Sequence, residues 1–191
     1  MADSTDLAPA SPIDPQDFRE VLTRFATGVT VVTTIEDTPD GLQPWGTTVN
    51  SFTGISLEPP LVLVAIGRER SIHPIIERTN KFGVNILGED AQALSDCFAG
   101  APSPLPRSAF CNATYALGAA GLPVLEDAIA YISCSVERVI EAGDHTIYLG
   151  QLTETSCRDE VGWPLLYFRR RYLRIERAAT TDLRGKPDTL R

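Results

Sequence analysis

The sequence predicts a mainly β domain with a few flanking helices. Three observations predict it. Val29 to Ile35 is β-branched throughout, Leu61 to Ile66 is wholly apolar, and Ala128 to Glu141 alternates over a long run with Ile129, Tyr131, Val136 and Ile140 among its apolar positions. Such runs suit strands buried on one or both faces. Helical spacing is confined to short stretches between them. An antiparallel barrel, closed or split, is the arrangement that protects the edges of so many strands.

The elements follow in order. Residues 1 to 13 are small, polar and proline-containing, which predicts a mobile tail. Asp14-Pro15-Gln16-Asp17 is a helix start: Asp14 caps, Pro15 suits the first helical position, and Asp17 faces the positive end of the dipole. Phe18, Val21, Leu22 and Phe25 then give one apolar face, whose simplest use is core packing. Gly28 is placed to end that helix. After the Val29–Ile35 strand, Asp37 to Gly41 forms a turn. Trp45 to Phe52 and Leu61 to Ile66 are the next two strands, expected to pair antiparallel.

The stretch Trp45 to Ser71 is unusual. Thr47, Thr48, Asn50, Ser51, Thr53 and Ser56 alternate with Val49, Phe52, Ile55 and Leu57 before Pro59-Pro60. This density of hydroxyls and an amide suits a strand and loop presenting short donors and backbone N–H groups to a ligand. It equally suits an edge strand with a solvated face. Gly67-Arg68-Glu69-Arg70-Ser71 follows, with Ser71 placed to cap a short helix bearing Ile72, Ile75 and Ile76. A capped helix start beside two arginines can hold a phosphate. An exposed charged turn is the plainer reading.

Lys81 to Leu87 is a strand in which Asn85 interrupts an apolar pattern, so its amide needs a partner, which backbone can supply. Asp90 is placed to cap a helix carrying Ala93, Leu94, Cys97 and Phe98. Residues 99 to 113 form a proline-rich loop of a length often tied to function. Phe110 within it either stacks on a ring or packs under the loop. Gly118 to Pro123 is a turn, and the long strand Ala128–Glu141 carries one expected irregularity. Glu141 to His145 is a tight turn before a strand over Thr146–Thr153. A histidine beside a turn is ordinarily structural or solvated. Pro164–Phe168 and Tyr172–Ile175 are the last strands, with Arg169-Arg170-Arg171 between them as a hairpin tip or as a contact to a cofactor phosphate across a dimer interface. From Arg177 onward the composition predicts a disordered tail.

Composition excludes several classes. The 191 residues fit one domain, here taken as 14 to 176, and are 43% hydrophobic and 22% charged. A net charge of −8 argues against a general nucleic-acid surface. No run approaches a membrane span, and the first residues lack the basic start and apolar run of a secretory signal, which points to the cytoplasm. Cys97, Cys111, Cys134 and Cys157 form no CxxC pair beside only two histidines. A zinc site therefore lacks its spacing, and free thiols in a reducing compartment are expected. There is no GxGxxG after a strand, no P-loop, no HExxH and no nucleophile elbow.

Several pieces occur in one order: Phe25-Ala26-Thr27-Gly28 through Thr34, Gly46 through Ile66, Phe82-Gly83-Val84-Asn85-Ile86-Leu87, Phe98-Ala99-Gly100, Gly143-Asp144-His145 and Pro164 through Phe168. Together they resemble the flavin reductase-like, FMN-binding split-barrel family, the reductase partners of two-component flavin monooxygenases. The resemblance spans roughly residues 16 to 176. It implies an antiparallel split β-barrel, a homodimer with flavin near the subunit interface, FMN or FAD as flavin, NADH or NADPH as hydride donor, and a partner oxygenase. It implies that Thr47 contributes to cofactor binding, that Thr48, Val49, Asn50, Ser51 and Phe52 serve the flavin ring edge, that Ser56, Arg68 and Ser71 serve its phosphate, and that Phe82 and Asn85 flank the pocket. It implies that His145 meets the nicotinamide and that the 99–113 loop borders the flavin. Two competing readings are a split-barrel enzyme that keeps its flavin tightly bound as an oxidase or oxygenase, and a non-enzymatic barrel module.

Overall fold

The computed structural model describes residues 13–105, 110–158 and 162–175. The two expected tails lie outside these residues except for Ile13, as does part of the 99–113 loop. The elements run α1 (Pro15–Leu22), β1 (Thr27–Gly28), β2 (Thr30–Thr38), β3 (Gly41–Val49), β4 (Thr53–Leu57), β5 (Pro60–Gly67), α2 (His73–Thr79), β6 (Lys81–Leu87), α3 (Gln92–Ala99), β7 (Tyr115–Leu117), β8 (Pro123–Leu125), β9 (Ala128–Ala142), β10 (His145–Cys157), β11 (Leu166–Phe168) and β12 (Arg171–Leu173).

Seven strands form one antiparallel sheet in the order β3-β2-β6-β9-β10-β5-β4. Its two edges, β3 and β4, are consecutive in the chain and joined by Asn50-Ser51-Phe52. The sheet therefore curls until its edges meet without a ladder between them, which is a split barrel. One side chain clasps the split: the Ser51 hydroxyl donates to the Ala65 carbonyl at 2.6 Å and accepts from the Ala65 N–H at 3.0 Å. A hydroxyl that both donates and accepts substitutes here for a pair of ladder bonds.

Two cores result. Val32, Val49, Val64, Ile66, Phe82, Val84 and Tyr148 fill the barrel together with Ile72 and Ile76 near α2. Val29, Val31, Leu87, Leu94, Phe98, Phe110 and Leu125 form the second, under α3 and the loop that follows it. Buried polar bonds run between elements as well. Asn85 is fully buried and bonded on every side, to Val31, Thr33, Pro123 and Leu125.

The structure corrects several expectations. Asp14 does cap α1, accepting from the Gln16 N–H at 2.7 Å. The helix ends at Leu22, though, and Gly28 sits in β1 rather than in a helix stop. None of α1 is buried: Phe18 is 55% and Val21 68% exposed, and Phe25 beyond it is 73% exposed. The amphipathic face is real but has no core beneath it within one chain. Trp45–Phe52 and Leu61–Ile66 do not pair with each other, because β4 stands between them and forms a hairpin with β5. Ser71 does not cap α2, whose N-cap is Ile72. Asp90 does not cap α3, whose N-cap is Ala91, and instead pairs with Arg174 at 2.6 Å. The long strand carries two register shifts against β10 rather than one irregularity.

Cys97 and Cys111 are joined in a disulfide, and Cys134 and Cys157 are free. The expectation of four thiols fails because the loop after α3 folds back on the helix, which spacing alone does not encode. Phe110 meets Phe98 and Tyr115 edge-on and is buried, so it packs under the loop and offers no face for stacking a ligand.

Candidate active site

A cleft of about 490 Å³ opens where the split is clasped. One wall is the turn Phe25-Ala26-Thr27-Gly28, the other the segment Asn50-Ser51-Phe52-Thr53, with Thr30 and Ile86 between them. Strand pairing brings the walls together: Thr30 lies opposite both Val49 and Ile86, and Gly28 lies opposite Leu166.

The polar run that marked this region divides into two kinds of group. Thr30 donates to the Val49 carbonyl at 3.1 Å, Thr48 donates to the Ser95 carbonyl at 2.7 Å, and Ser51 makes the clasp. These hydroxyls are committed to the scaffold. Thr47 and Val49 are buried in the barrel wall. What remains for a ligand is backbone, the Asn50 amide and the exposed Thr53 hydroxyl, whose contact to the Gly54 carbonyl is long at 3.4 Å. Among the described residues, no backbone hydrogen bond engages the N–H groups of Asn50, Ser51 or Phe52, and the exposed Asn50 side chain has no partner. On the opposite wall the Thr27 hydroxyl is buried without a hydrogen bond. A buried hydroxyl left in this state costs free energy that a ligand acceptor or donor would recover.

A second cluster forms at the β9–β10 turn. Gly143 adopts a left-handed φ of 64°, which lets the chain reverse within two residues between Ala142 and His145. His145 is exposed, and its Nδ1 is 2.8 Å from Asp144 Oδ1. That hydrogen bond, then the charges of His145 and Arg19, holds the Asp144 carboxyl below the ordinary range, so it remains an acceptor for the ring N–H. The pairing leaves Nε2 turned outward. The Arg68 N–H donates to the Asp144 carbonyl at 2.9 Å, and the Arg68 guanidinium lies 3.8 Å from Glu141. The 68–71 turn and the histidine turn are thus one unit.

Beneath them the buried His73 places its Nε2 2.7 Å from the Gly67 carbonyl and its Nδ1 2.7 Å from the Tyr148 hydroxyl. A carbonyl only accepts, so Nε2 carries the proton. Burial pushes the Tyr148 phenol up to about 12, so the phenol keeps its proton and donates to Nδ1. This chain fixes Gly67, the residue opposite His145. Gly67 is two residues past Ala65, so His145 stands about 7 Å along the sheet from the Ser51 clasp.

Sequence-predicted residues are therefore only partly gathered. Asn50, Ser51 and Phe52 line the cleft, and Thr48 and Val49 support its wall. Arg68, Ser71 and His145 share the adjacent turn cluster, outside the cleft lining. Ser56 lies opposite Leu61, about 20 Å along β5 from Gly67, and its hydroxyl accepts from the Glu58 N–H. Within one chain it cannot share a phosphate with Arg68. Phe82 and Asn85 are fully buried and do not line this cleft. The wall formed by Phe25 to Gly28 was missed as a site, although its residues opened the ordered set of motifs. The signal was Thr27-Gly28, a small hydroxyl followed by an absent side chain, which also reads as a helix stop.

The family profile of the flavin reductase like domain matches residues 22–176. The chain belongs to that family. It is 38% identical over 180 residues to HsaB, the reductase subunit of a flavin-dependent monooxygenase of Rhodococcus jostii, covering 94% of this chain and 87% of the relative. It is 37% identical over 160 residues to an NADH-dependent FAD reductase of Streptomyces globisporus, covering 82% of each chain. Among solved structures, flavin reductase PheA2 superposes with a TM-score of 0.75 at 38% identity, covering 86% of this chain and 100% of that one. The NADH:FAD oxidoreductase SgcE6 of Streptomyces globisporus, in complex with NAD and FAD fragments, superposes with a TM-score of 0.76 at 32% identity, covering 90% and 100%. Among the described residues no helix is long and apolar enough to cross a membrane.

Proposed function

We propose that this chain is an NAD(P)H:flavin oxidoreductase that supplies reduced flavin to a partner oxygenase, with FMN or FAD in the cleft between Phe25–Gly28 and Asn50–Thr53. The observation that carries this is the set of unengaged backbone donors on residues lining that cleft, the N–H groups of Asn50, Ser51 and Phe52. An isoalloxazine needs a flat slot with donors along one edge, and these residues fit it. Flavin held there would supply the redox chemistry, as acceptor of hydride from the pyridine nucleotide. The chain does the rest. Asn50 to Phe52 donate toward the edge where negative charge grows, from backbone already fixed by the Ser51 clasp, so little reorganisation is needed. The exposed Phe25 ring shields one side of the slot from water. His145, oriented by Asp144, offers Nε2 to the nicotinamide. Ser71 and Arg68 lie beside it and attract phosphate. NAD(P)H as donor is in keeping with the cytoplasm.

The relatives named as reductase subunits of monooxygenases support the partner assignment. The exposed apolar face of Phe18, Val21 and Leu22 supports a homodimer, because a stripe of this kind is normally covered. Sedimentation of the purified chain should give twice the chain mass of 20.8 kDa, and Val21→Glu should shift it toward that single mass.

The reductase reading is tested by anaerobic stopped-flow absorbance with FMN or FAD mixed with NADH, then NADPH. Rapid bleaching of the flavin band is expected, slowed about tenfold or more in His145→Ala. Bleaching at the wild-type rate in that variant removes His145 from the reaction. A flavin that binds and is reduced by neither nucleotide overturns the reductase reading in favour of a tightly bound flavoenzyme.

A further inference from the structure

A second recess opens off the proposed flavin cleft. It holds about 400 Å³ and shares Phe25 and Asn50 with that cleft. Its walls carry Arg19 of α1 and Arg169 and Arg170 of the β11–β12 turn. The local chain explains why two arginines sit there. Both adopt left-handed backbone, with φ of 50° and 61°, and so close a two-residue turn between Phe168 and Arg171. The Arg169 N–H donates to the Thr23 carbonyl at 2.9 Å, which docks the turn on the C-terminal end of α1. The Arg169 guanidinium lies over the Phe168 ring at 5.5 Å. Both arginines are exposed and line the mouth of the recess. Residues with small side chains adopt this turn at lower cost, so arginine at both positions is a departure from what the turn alone favours.

Charge gives the second observation. Among the described residues, none of Arg19, Arg169 and Arg170 has a carboxylate within ion-pair distance. Arg24, Arg68, Arg70, Arg78 and Arg174 each do, whereas Arg138, Arg158 and Arg171 also lack one but do not line this recess. The nearby Glu20 is engaged by Arg24 at 2.9 Å. In a chain of net charge −8, Arg19, Arg169 and Arg170 converge on one hollow with no carboxylate in ion-pair contact, Asp144 acting on Arg19 only at longer range. Converging like charges repel, and an anion placed among them relieves that repulsion while accepting forked hydrogen bonds.

We propose that this recess binds the pyrophosphate of a dinucleotide whose ring lies in the adjoining cleft, and that Arg169 and Arg170 thereby favour FAD over FMN. The proposal rests on the flavin reductase reading. A pyrophosphate matches the site better than a single phosphate, because three cations surround a volume additional to the one that holds the ring. The pyrophosphate of the pyridine nucleotide has the same chemistry, and the test separates the two sources.

The full chain, freed of flavin, is titrated with riboflavin, FMN and FAD by flavin fluorescence, as wild type and as the double variant Arg169→Ser, Arg170→Ser. Arg138→Ser, on the exposed part of β9, controls for loss of charge at a distance. KM for NADH and NADPH is then measured with riboflavin as acceptor, which carries no phosphate. The expected result is FAD binding weakened at least about tenfold in the double variant, with riboflavin binding unchanged and the control like wild type. FAD unchanged with KM for NADH and NADPH both raised about tenfold assigns the pyrophosphate site to the pyridine nucleotide and overturns the preference for FAD over FMN. All ligands unchanged, or FMN weakened as much as FAD, overturns the proposal. If the double variant does not fold, the wild type decides: added salt must weaken FAD more than FMN, and equal weakening overturns the proposal. Riboflavin that fails to bind the wild type removes the flavin reading itself, and this proposal with it. Wild-type riboflavin binding beside unchanged FAD and nucleotide binding removes this proposal alone.

Discussion

Asn85→Leu is expected to cost about 3 kcal/mol of stability while leaving the flavin affinity of the folded protein unchanged. The Asn85 amide nitrogen donates toward the Val31 carbonyl at 3.3 Å, the Thr33 hydroxyl at 3.1 Å and the Pro123 carbonyl at 3.3 Å. Its oxygen accepts from the Leu125 N–H at 2.8 Å. One side chain therefore ties β2, β6 and the β7–β8 hairpin together in the interior. Leucine has nearly the same size, so little cavity forms. It leaves the Leu125 N–H buried without an acceptor and removes donors from groups that cannot reach water. Each such loss costs about 1–3 kcal/mol. For a domain of this length the melting temperature should fall by roughly 6–12 °C. Thermal unfolding by circular dichroism measures the first half of the expectation, and flavin titration well below the transition measures the second. An unchanged melting temperature with lost flavin binding would return Asn85 to the ligand site.

That contrast shows where the sequence was legible. The continuous runs Val29–Ile35 and Leu61–Ile66 identified strands because burial demands such runs whatever the partner. The turn at Gly143 and the cap at Asp14 were legible because their chemistry is local. β4 was not, since Thr53-Gly54-Ile55-Ser56-Leu57 sits on a sheet edge with half its groups in solvent, and its pattern matches a polar loop. The face of α1 was recognised, but an apolar stripe looks the same whether it packs on a core or on a second copy. The Cys97–Cys111 bond depended on a loop path that no spacing records.

The site was legible in the same uneven way. The hydroxyl density around Thr47 to Ser56 drew attention to one wall of the proposed cleft, though largely for a structural reason. Ser51, Thr48 and Thr30 hold the split together, and the groups left to face a ligand are backbone N–H groups that any residue would have supplied. Asn85 looked like a site residue because a buried amide is expensive. Its expense is met within the barrel.

The opposite wall offers the sharper test. Gly28→Leu is expected to weaken flavin binding about a hundredfold or more and to leave the melting temperature within a few degrees of wild type. A Cβ built at Gly28 meets no atom within 4 Å, and the backbone there is not left-handed, so a side chain brings neither clash nor strain to the folded chain. Gly28 lines the cleft, and the free space beside it is the space a flavin ring would fill. Leucine occupies it with four carbons close to the Thr27 hydroxyl. Stability is governed by contacts the substitution does not touch, since Val29 and Leu165 beside it remain buried and paired. Flavin fluorescence titration and thermal unfolding on the same preparation separate the two effects. A stable variant that binds flavin as tightly as wild type would place the ring somewhere other than between Phe25–Gly28 and Asn50–Thr53. Loss of both binding and stability would mean that Gly28 is needed by the fold. Loss of binding alone locates the flavin, because no other change to the chain has been made.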